Sequence, residues 1–128
     1  MTRVIRQRPE RLAVARLDPS HGWPWWATYS AVTSVTRTPF ETSVVAEDRL
    51  VPIGTRAERD FVAFAVQGPL DFSEVGILAS LTGALAAAQV SCFAISTYDT
   101  DLVLVRSADA ERAADAWRRA GWTVEVTA

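Results

Sequence analysis

A strand-turn-strand pattern occurs twice in this chain, and the repetition restricts the folds open to it. The clearer copy is Ile95-Ser96-Thr97-Tyr98-Asp99-Thr100-Asp101, followed by the apolar run Leu102 to Val105, and a weaker copy runs from Val35 to Val45. At a constant offset of sixty positions, Val35, Thr36, Glu41, Val44 and Val45 align with Ile95, Ser96, Asp101, Leu104 and Val105. Apolar type, hydroxyl, acid and strand are preserved. A supersecondary piece duplicated within 128 residues implies two small modules packed together, and the groove between such modules is a natural home for a small ligand.

The second half gives the sharper pattern. Phe61 to Gln67 is a β-rich run stopped by Gly68-Pro69, and Asp71-Phe72-Ser73-Glu74 has the acid-x-x-Glu spacing of a helix N-terminus. The helix should extend to about Ala88, with Val75, Leu78, Leu81 and Leu85 as one apolar stripe. Val90 to Thr97 reads as a strand buried on both faces, and Leu102 to Arg106 as its hairpin partner. A second helix begins at Ser107 or Asp109, carries Ala110, Ala113, Ala114 and Trp117, and is capped by Gly121. Trp122 to Val126 is the final strand. The order is β-α-β-β-α-β, which predicts an α+β, ferredoxin-like antiparallel sheet with its helices on one face.

The first half is an abbreviated version. Leu12 to Leu17 is a strand ending at Asp18-Pro19, much as Phe61 to Gln67 ends at Gly68-Pro69, an offset near fifty. Pro24 to Tyr29 is what remains of the helix, Ala31 to Arg37 and Thr42 to Glu47 form the hairpin, and Leu50 to Asp60 is a turn-rich or helical return. The domain reading is thus an N-terminal tail over 1–10, an abbreviated module over 11–60 and a complete module over 61–128. Phe61 to Gln67 could close the first module, open the second, or do both.

Charge and cysteine content narrow the function classes. Thirteen arginines against fifteen acids leave a net charge of -2, which offers no chain-wide attraction to nucleic acid or to an anionic membrane. The basic N-terminus, with Arg3, Arg6, Arg8 and Arg11, is read as a solvated tail. Cys92 is the only cysteine, so a disulfide framework is excluded and a cytoplasmic setting is the working expectation. No signal-peptide core and no membrane-length apolar span is present. His21 has no partner at metal-ligand spacing, and neither a nucleophile elbow nor a Gly-rich phosphate loop occurs. No catalytic residue, metal or cofactor is therefore expected. Gly22-Trp23-Pro24-Trp25-Trp26 could cage a cation, but is read as a cover for the core beside the short first helix.

Several stretches together resemble the ACT domain family. They are Gly68-Pro69-Leu70-Asp71-Phe72 running into Gly76-Ile77-Leu78-Ala79, then Leu85-Ala86 leading into Val90-Ser91, and then Ile95 to Asp101. In the first half, Thr36-Arg37-Thr38 and Thr42-Ser43-Val44-Val45 fit the same branch. Within the family the chain is similar to small two-module bacterial proteins related to the CASTOR-type arginine sensors. The resemblance implies tandem ACT modules forming an amino-acid-binding regulatory protein, with the ligand held between ACT units beside the first helix's N-terminus and the neighbouring hairpin. By the same comparison, Asp71, Glu74, Thr97, Tyr98 and Asp101 match positions where the arginine sensors contact their ligand. Asp71 departs from the pattern, because a glycine stands there in the sensors.

An amino acid needs donors for its carboxylate and acceptors for its ammonium. A helix starting near Phe72 and Ser73 offers N–H groups and a positive dipole end, and Gly76 permits close approach. Thr97 and Tyr98 add hydroxyls, and Asp71, Glu74, Asp99 and Asp101 are the acceptors. The expected ligand-binding set is therefore Asp71, Phe72, Ser73, Glu74, Gly76, Thr97, Tyr98, Asp99 and Asp101. Plainer roles stand beside these: Asp71 with Glu74 as a capping box, Asp99 and Asp101 as turn formers, and Gly76 as a close-packing glycine inside a helix. The expected partners are an amino acid or similar small zwitterion, a second copy of the chain in a homodimer, and an unidentified protein effector. The alternative function is a ligand-free structural or protein-interaction module.

Overall fold

The computed structural model describes residues 3–71 and 73–126. Phe72, one of the expected ligand residues, lies outside the described residues. In chain order the strands and helices are β1 (Val4–Leu17), β2 (Ser34–Arg37), β3 (Thr42–Glu47), β4 (Ala57–Val66), α1 (Ile77–Ala87), β5 (Phe93–Ser96), β6 (Asp101–Arg106), α2 (Ala110–Arg119) and β7 (Thr123–Glu125). The chain divides into two compact units, Met1–Pro9 with Val62–Ala128 as unit 1 and Glu10–Phe61 as unit 2.

Unit 1 carries the strands in the order β7-β1-β4-β6-β5, with β5 and β6 antiparallel. Val62, Phe64 and Val66 alternate along β4, as Val103 and Val105 do along β6, so these side chains share one face of the sheet. Ile5 of β1 joins them. Ile77, Leu81 and Leu85 of α1 and Ala113 and Trp117 of α2 complete the same core, so both helices cover that face. Trp117 links the layers: its indole N–H donates to the Leu81 carbonyl at 3.0 Å, and its ring meets that of Phe64 edge-on, with centroids 4.8 Å apart. The α+β class and the β-α-β-β-α-β order are thus both present, over β4 to β7.

Four sequence expectations need correction in this unit. The N-terminal segment is not a tail, because residues from Val4 onward form β1 and Ile5 is completely buried. Burial of an isoleucine side chain is worth roughly 1.5–3 kcal/mol, which adds to the pairing of this segment with β4 and β7. The sheet is also not wholly antiparallel. β1 stands between β4 and β7 and pairs with β7 in parallel, Val4 opposite Thr123 and Arg6 opposite Glu125. Helix α1 starts at Ile77 and not at the acid-x-x-Glu stretch, because Gly76 adopts φ +86°, a left-handed conformation that cannot continue a helix. Val75 is therefore left outside the stripe and exposed, and Ile77 takes its place. Finally, β5 is a half-buried edge strand, since it has a neighbour only on the β6 side.

Unit 2 is built from the 10–17 part of β1, a 3-10 turn over Trp25–Tyr29, the β2–β3 hairpin, a second 3-10 turn over Asp48–Leu50 and the 57–61 part of β4. β1 and β3 are antiparallel, from Leu12 opposite Glu47 to Leu17 opposite Thr42. Its core is mainly small: Ala13, Ala15, Ala27, Ala46, Val44 and Val51 around Trp26. One large ring fills what alanines leave open. The tryptophan cluster divides accordingly, because Trp26 covers the core as expected while Trp23 and Trp25 are exposed.

The two hairpins pair in the same register, but one position away from the sequence alignment. Ser34 faces Val45 and Arg37 faces Thr42, whereas Phe93 faces Leu104 and Ser96 faces Asp101. Each equivalent pair is 59 positions apart, as are the 3-10 turns that follow, Asp48–Leu50 and Ser107–Asp109. A slip of one residue exchanges the two faces of a strand, so the sixty-residue alignment matches residue types but opposite sides. Val35 corresponds to Ala94, and Thr36 to Ile95.

Candidate functional site

Three segments of unit 1 meet at one end of the sheet. After β4 the chain enters a loop through Gly68 and a cis Gly68–Pro69 peptide. The Leu70 amide donates to the Asp99 carbonyl at 2.6 Å, and the Thr100 hydroxyl donates to the Val66 carbonyl at 2.6 Å. These bonds tie the loop to the turn between β5 and β6. The seam is tight, because a Cβ on Gly68 would lie 3.0 Å from the Asp99 carbonyl oxygen and 3.2 Å from the Leu70 nitrogen. The turn is closed internally: the Thr97 amide donates to the Thr100 carbonyl at 2.7 Å, and the Thr97 hydroxyl accepts from the Thr100 amide at 3.1 Å.

Between this assembly and the start of α1 lies an open cleft of about 310 Å³. Leu70, Asp71 and Glu74 line it from the loop, Gly76 to Ala79 from the helix start, and Ser96 to Asp101 from the hairpin. The first i to i−4 bond of the helix runs from the Ser80 amide to the Gly76 carbonyl at 2.8 Å. The amides of Ile77, Leu78 and Ala79 precede it, at the positive end of the helix dipole. Four acidic residues line the cleft, Asp71, Glu74, Asp99 and Asp101, and among the described residues no arginine or histidine does.

Each acid has its own environment. The Asp71 carboxylate accepts from the Ser73 amide at 3.0 Å and from the Ser73 hydroxyl at 2.8 Å. The amide bond first, and the hydroxyl second, hold its carboxyl below the usual range. This local turn takes the place of the expected capping box. Glu74 reaches the Arg3 guanidinium at 3.5 Å, so its charge is shared with the segment preceding β1. Asp101 accepts from the Ser96 hydroxyl at 2.6 Å across the last pair of the hairpin. Ser73→Ala is expected to raise the Asp71 pKa, measurable by carboxyl NMR titration. A folded-state value that is depressed stabilises the turn when ionised, and that contribution is lost as pH falls through it. The variant should therefore loosen the turn at a higher pH than the parent.

Asp71, Glu74, Gly76, Thr97, Tyr98, Asp99 and Asp101 of the expected set all line this cleft. Ser73 does not; its hydroxyl is turned onto Asp71. Gly76 sits at the helix start and not inside a helix, so its part is to set the direction of α1. Sequence reasoning missed Ser96, Thr100 and the Ile77 to Ala79 segment. Ser96 was within reach, since in a tight hairpin the residue before the turn faces the one after it. Among the described residues, no three His, Cys, Asp or Glu side chains come together as a metal site, and no helix is long and apolar enough to cross a membrane.

Comparison with known proteins bears directly on this architecture. Residues 56–119 match the family model of the ACT domain. The chain belongs to the ACT domain family. An X-ray structure of protein Atu0741 from Agobacterium tumefaciens is similar to this ACT chain at 32% identity, covering 100% of this chain and 96% of that one, with a TM-score of 0.93. The ligand-free regulatory subunit of aspartate kinase from Thermus thermophilus shares the fold at 12% identity, with 91% of this chain and 96% of that one covered and a TM-score of 0.65. The allosteric aspartate kinase of Clostridium acetobutylicum does so at 16% identity, covering 91% of this chain and 34% of that one, with a TM-score of 0.69. No curated protein matches the chain. Regulatory domains of aspartate kinases are thus among the solved structures that share the fold of this ACT chain.

Proposed function

We propose that the chain is a non-catalytic regulatory protein of two ACT-like modules, the first abbreviated, and that its unit 1 cleft binds an amino acid or a similar small zwitterion. The observation that carries this reading is the open cleft at the start of α1, bordered by acids and hydroxyls as well as apolar side chains, in a chain of the ACT family. The ligand's carboxylate would face the amides of Ile77 to Ala79, and its ammonium would face Asp71 and Asp101. Thr97, Tyr98 and Asp99 border the same space and would complete the contacts. The tandem reading is supported by the two hairpins, which share pairing register, turn and following 3-10 segment. An arginine-sensor specificity is the finer possibility raised by the resemblance, and Asp71 is the residue that would alter it.

Regulation would follow from docking. A ligand whose full contacts exist only in one arrangement of modules or subunits shifts the population towards it. The edge strands β2 and β5 offer unpaired backbone for a homodimer, and a separate protein effector in the cytoplasm would receive the signal.

Thermal denaturation against each standard amino acid tests the reading. A ligand at a hundred times its dissociation constant adds about 2.7 kcal/mol to stability. At least one amino acid should raise the Tm, and Asp101→Ala should abolish that rise. Uniform silence from all of them would favour the ligand-free interaction module instead.

A further inference from the structure

The repeated hairpins differ at the position that faces the cleft. At the last pair before the turn stand Ser96 and Asp101 in unit 1, and Arg37 and Thr42 in unit 2. The turns beyond are built alike. The Thr38 hydroxyl accepts from the amides of Phe40 and Glu41, as the Thr97 hydroxyl accepts from that of Thr100. The carbonyl of Phe40 accepts from the Arg16 guanidinium at 3.0 Å, and that of Asp99, its equivalent, from the Leu70 amide at 2.6 Å. The strand before each hairpin ends at an X-Pro step, Asp18-Pro19 or Gly68-Pro69, and two residues beyond each proline stand His21 and Asp71.

In unit 1 both Ser96 and Asp71 line open space. In unit 2 a side chain crosses between the corresponding positions. The Arg37 Nε donates to the Thr42 hydroxyl oxygen at 2.9 Å, and its Nη2 donates to the His21 carbonyl at 2.5 Å. Thr42 is completely buried, and the guanidinium satisfies its hydroxyl. A serine at this position could not reach the loop, whereas a planar fork of donors can serve two acceptors at once.

Taking the two units as copies of one module, as proposed above, we infer that the Arg37 guanidinium is a built-in occupant of the unit 2 counterpart of the cleft. The chain then holds one open site and one bridged at the surface by its own exposed Arg37, and shortening Arg37 frees a second site that takes a guanidinium-bearing small molecule. The substitution Ser96→Arg is the converse change and closes the open cleft.

The test is amide NMR of Arg37→Ser titrated with methylguanidinium chloride. Saturable shifts are expected at the amides of Gly22, Thr38 and Thr42 in the variant, with none at these positions in the parent chain. Methylammonium, a single-point cation, should leave them unmoved. An absence of saturable shifts there, or shifts confined to unit 1, overturns the inference. A crystal structure of Ser96→Arg gives an independent reading. A guanidinium lying across the cleft onto Asp71 or Asp101 supports it, and one directed into solvent overturns it. Neither measurement depends on a ligand for unit 1. If no standard amino acid binds while the Arg37→Ser shifts appear, the amino-acid function fails and this inference stands, and the reverse pattern fails this inference alone.

Discussion

Trp117→Ala should cost about 3–5 kcal/mol, the range for removing a buried tryptophan, against a total stability of about 5–15 kcal/mol for a small domain. The loss falls on one element. Helix α2 buries Ala113, Ala114, Ala116 and Trp117, and the alanines bring only a methyl group each, so the indole is its one large anchor. The ring lies between layers, donating to the Leu81 carbonyl of α1 and packing edge-on against Phe64 of β4. Its removal opens a cavity that neither the sheet nor α1 can close, because their side chains are already packed around it. Helix α1 is less exposed to a single change, since Ile77, Leu81 and Leu85 divide its burial. Urea unfolding followed by circular dichroism gives the measurement. Trp117→Phe should retain part of the lost stability, because it keeps a ring against Phe64 and forfeits only the indole donor and the outer ring area. An alanine variant within 1 kcal/mol of the parent would mean that α2 is held by something other than this side chain.

The parts of the fold that could be read from the sequence are those in which one periodicity dominates. Strand β6 and helix α2 have clean apolar patterns, and their observed limits lie close to the expected ones. The first half of β1 is hidden because Ile5 stands among Arg3, Arg6, Arg8 and Arg11, and a single buried residue sets no period. Pro9 is compatible with the strand. It falls between the residues of β1 that pair with β7 and those that pair with β3, where a missing N–H interrupts neither ladder. The beginning of α1 was misplaced because acid-x-x-Glu spacing describes a capping box and an Asx-type turn equally well. Gly76 decides between them, through a backbone angle that no side-chain pattern encodes. The same ambiguity explains the candidate site. Residue types suited to an amino acid were visible at Asp71, Thr97 and Asp101, yet Ser96 escaped notice because its importance comes from standing opposite Asp101.

The cleft depends on a seam one atom wide, so Gly68→Ala should impair both stability and binding. The added methyl would sit 3.0 Å from the Asp99 carbonyl oxygen, 3.2 Å from the Leu70 nitrogen and 3.3 Å from the Thr100 Cβ. The first two are backbone atoms and cannot rotate away as a side chain would. They are also joined to each other, since the Leu70 amide donates to the Asp99 carbonyl at 2.6 Å. Relief of the contact takes a shift of a few tenths of an ångström, which should strain that bond and displace the hairpin turn beside the loop. Overpacking of this kind costs about 1–3 kcal/mol, visible as a lower Tm. Any amino acid that stabilises the parent should stabilise this variant less or not at all, because the acids and hydroxyls around the ligand would no longer converge. Gly22→Ala is the control, since a Cβ there has no neighbour within 4 Å and should leave both readings unchanged. If Gly68→Ala lowered the Tm but left the ligand response intact, the hairpin turn would be free to move without affecting binding, and the ligand would have to be held by the helix start alone.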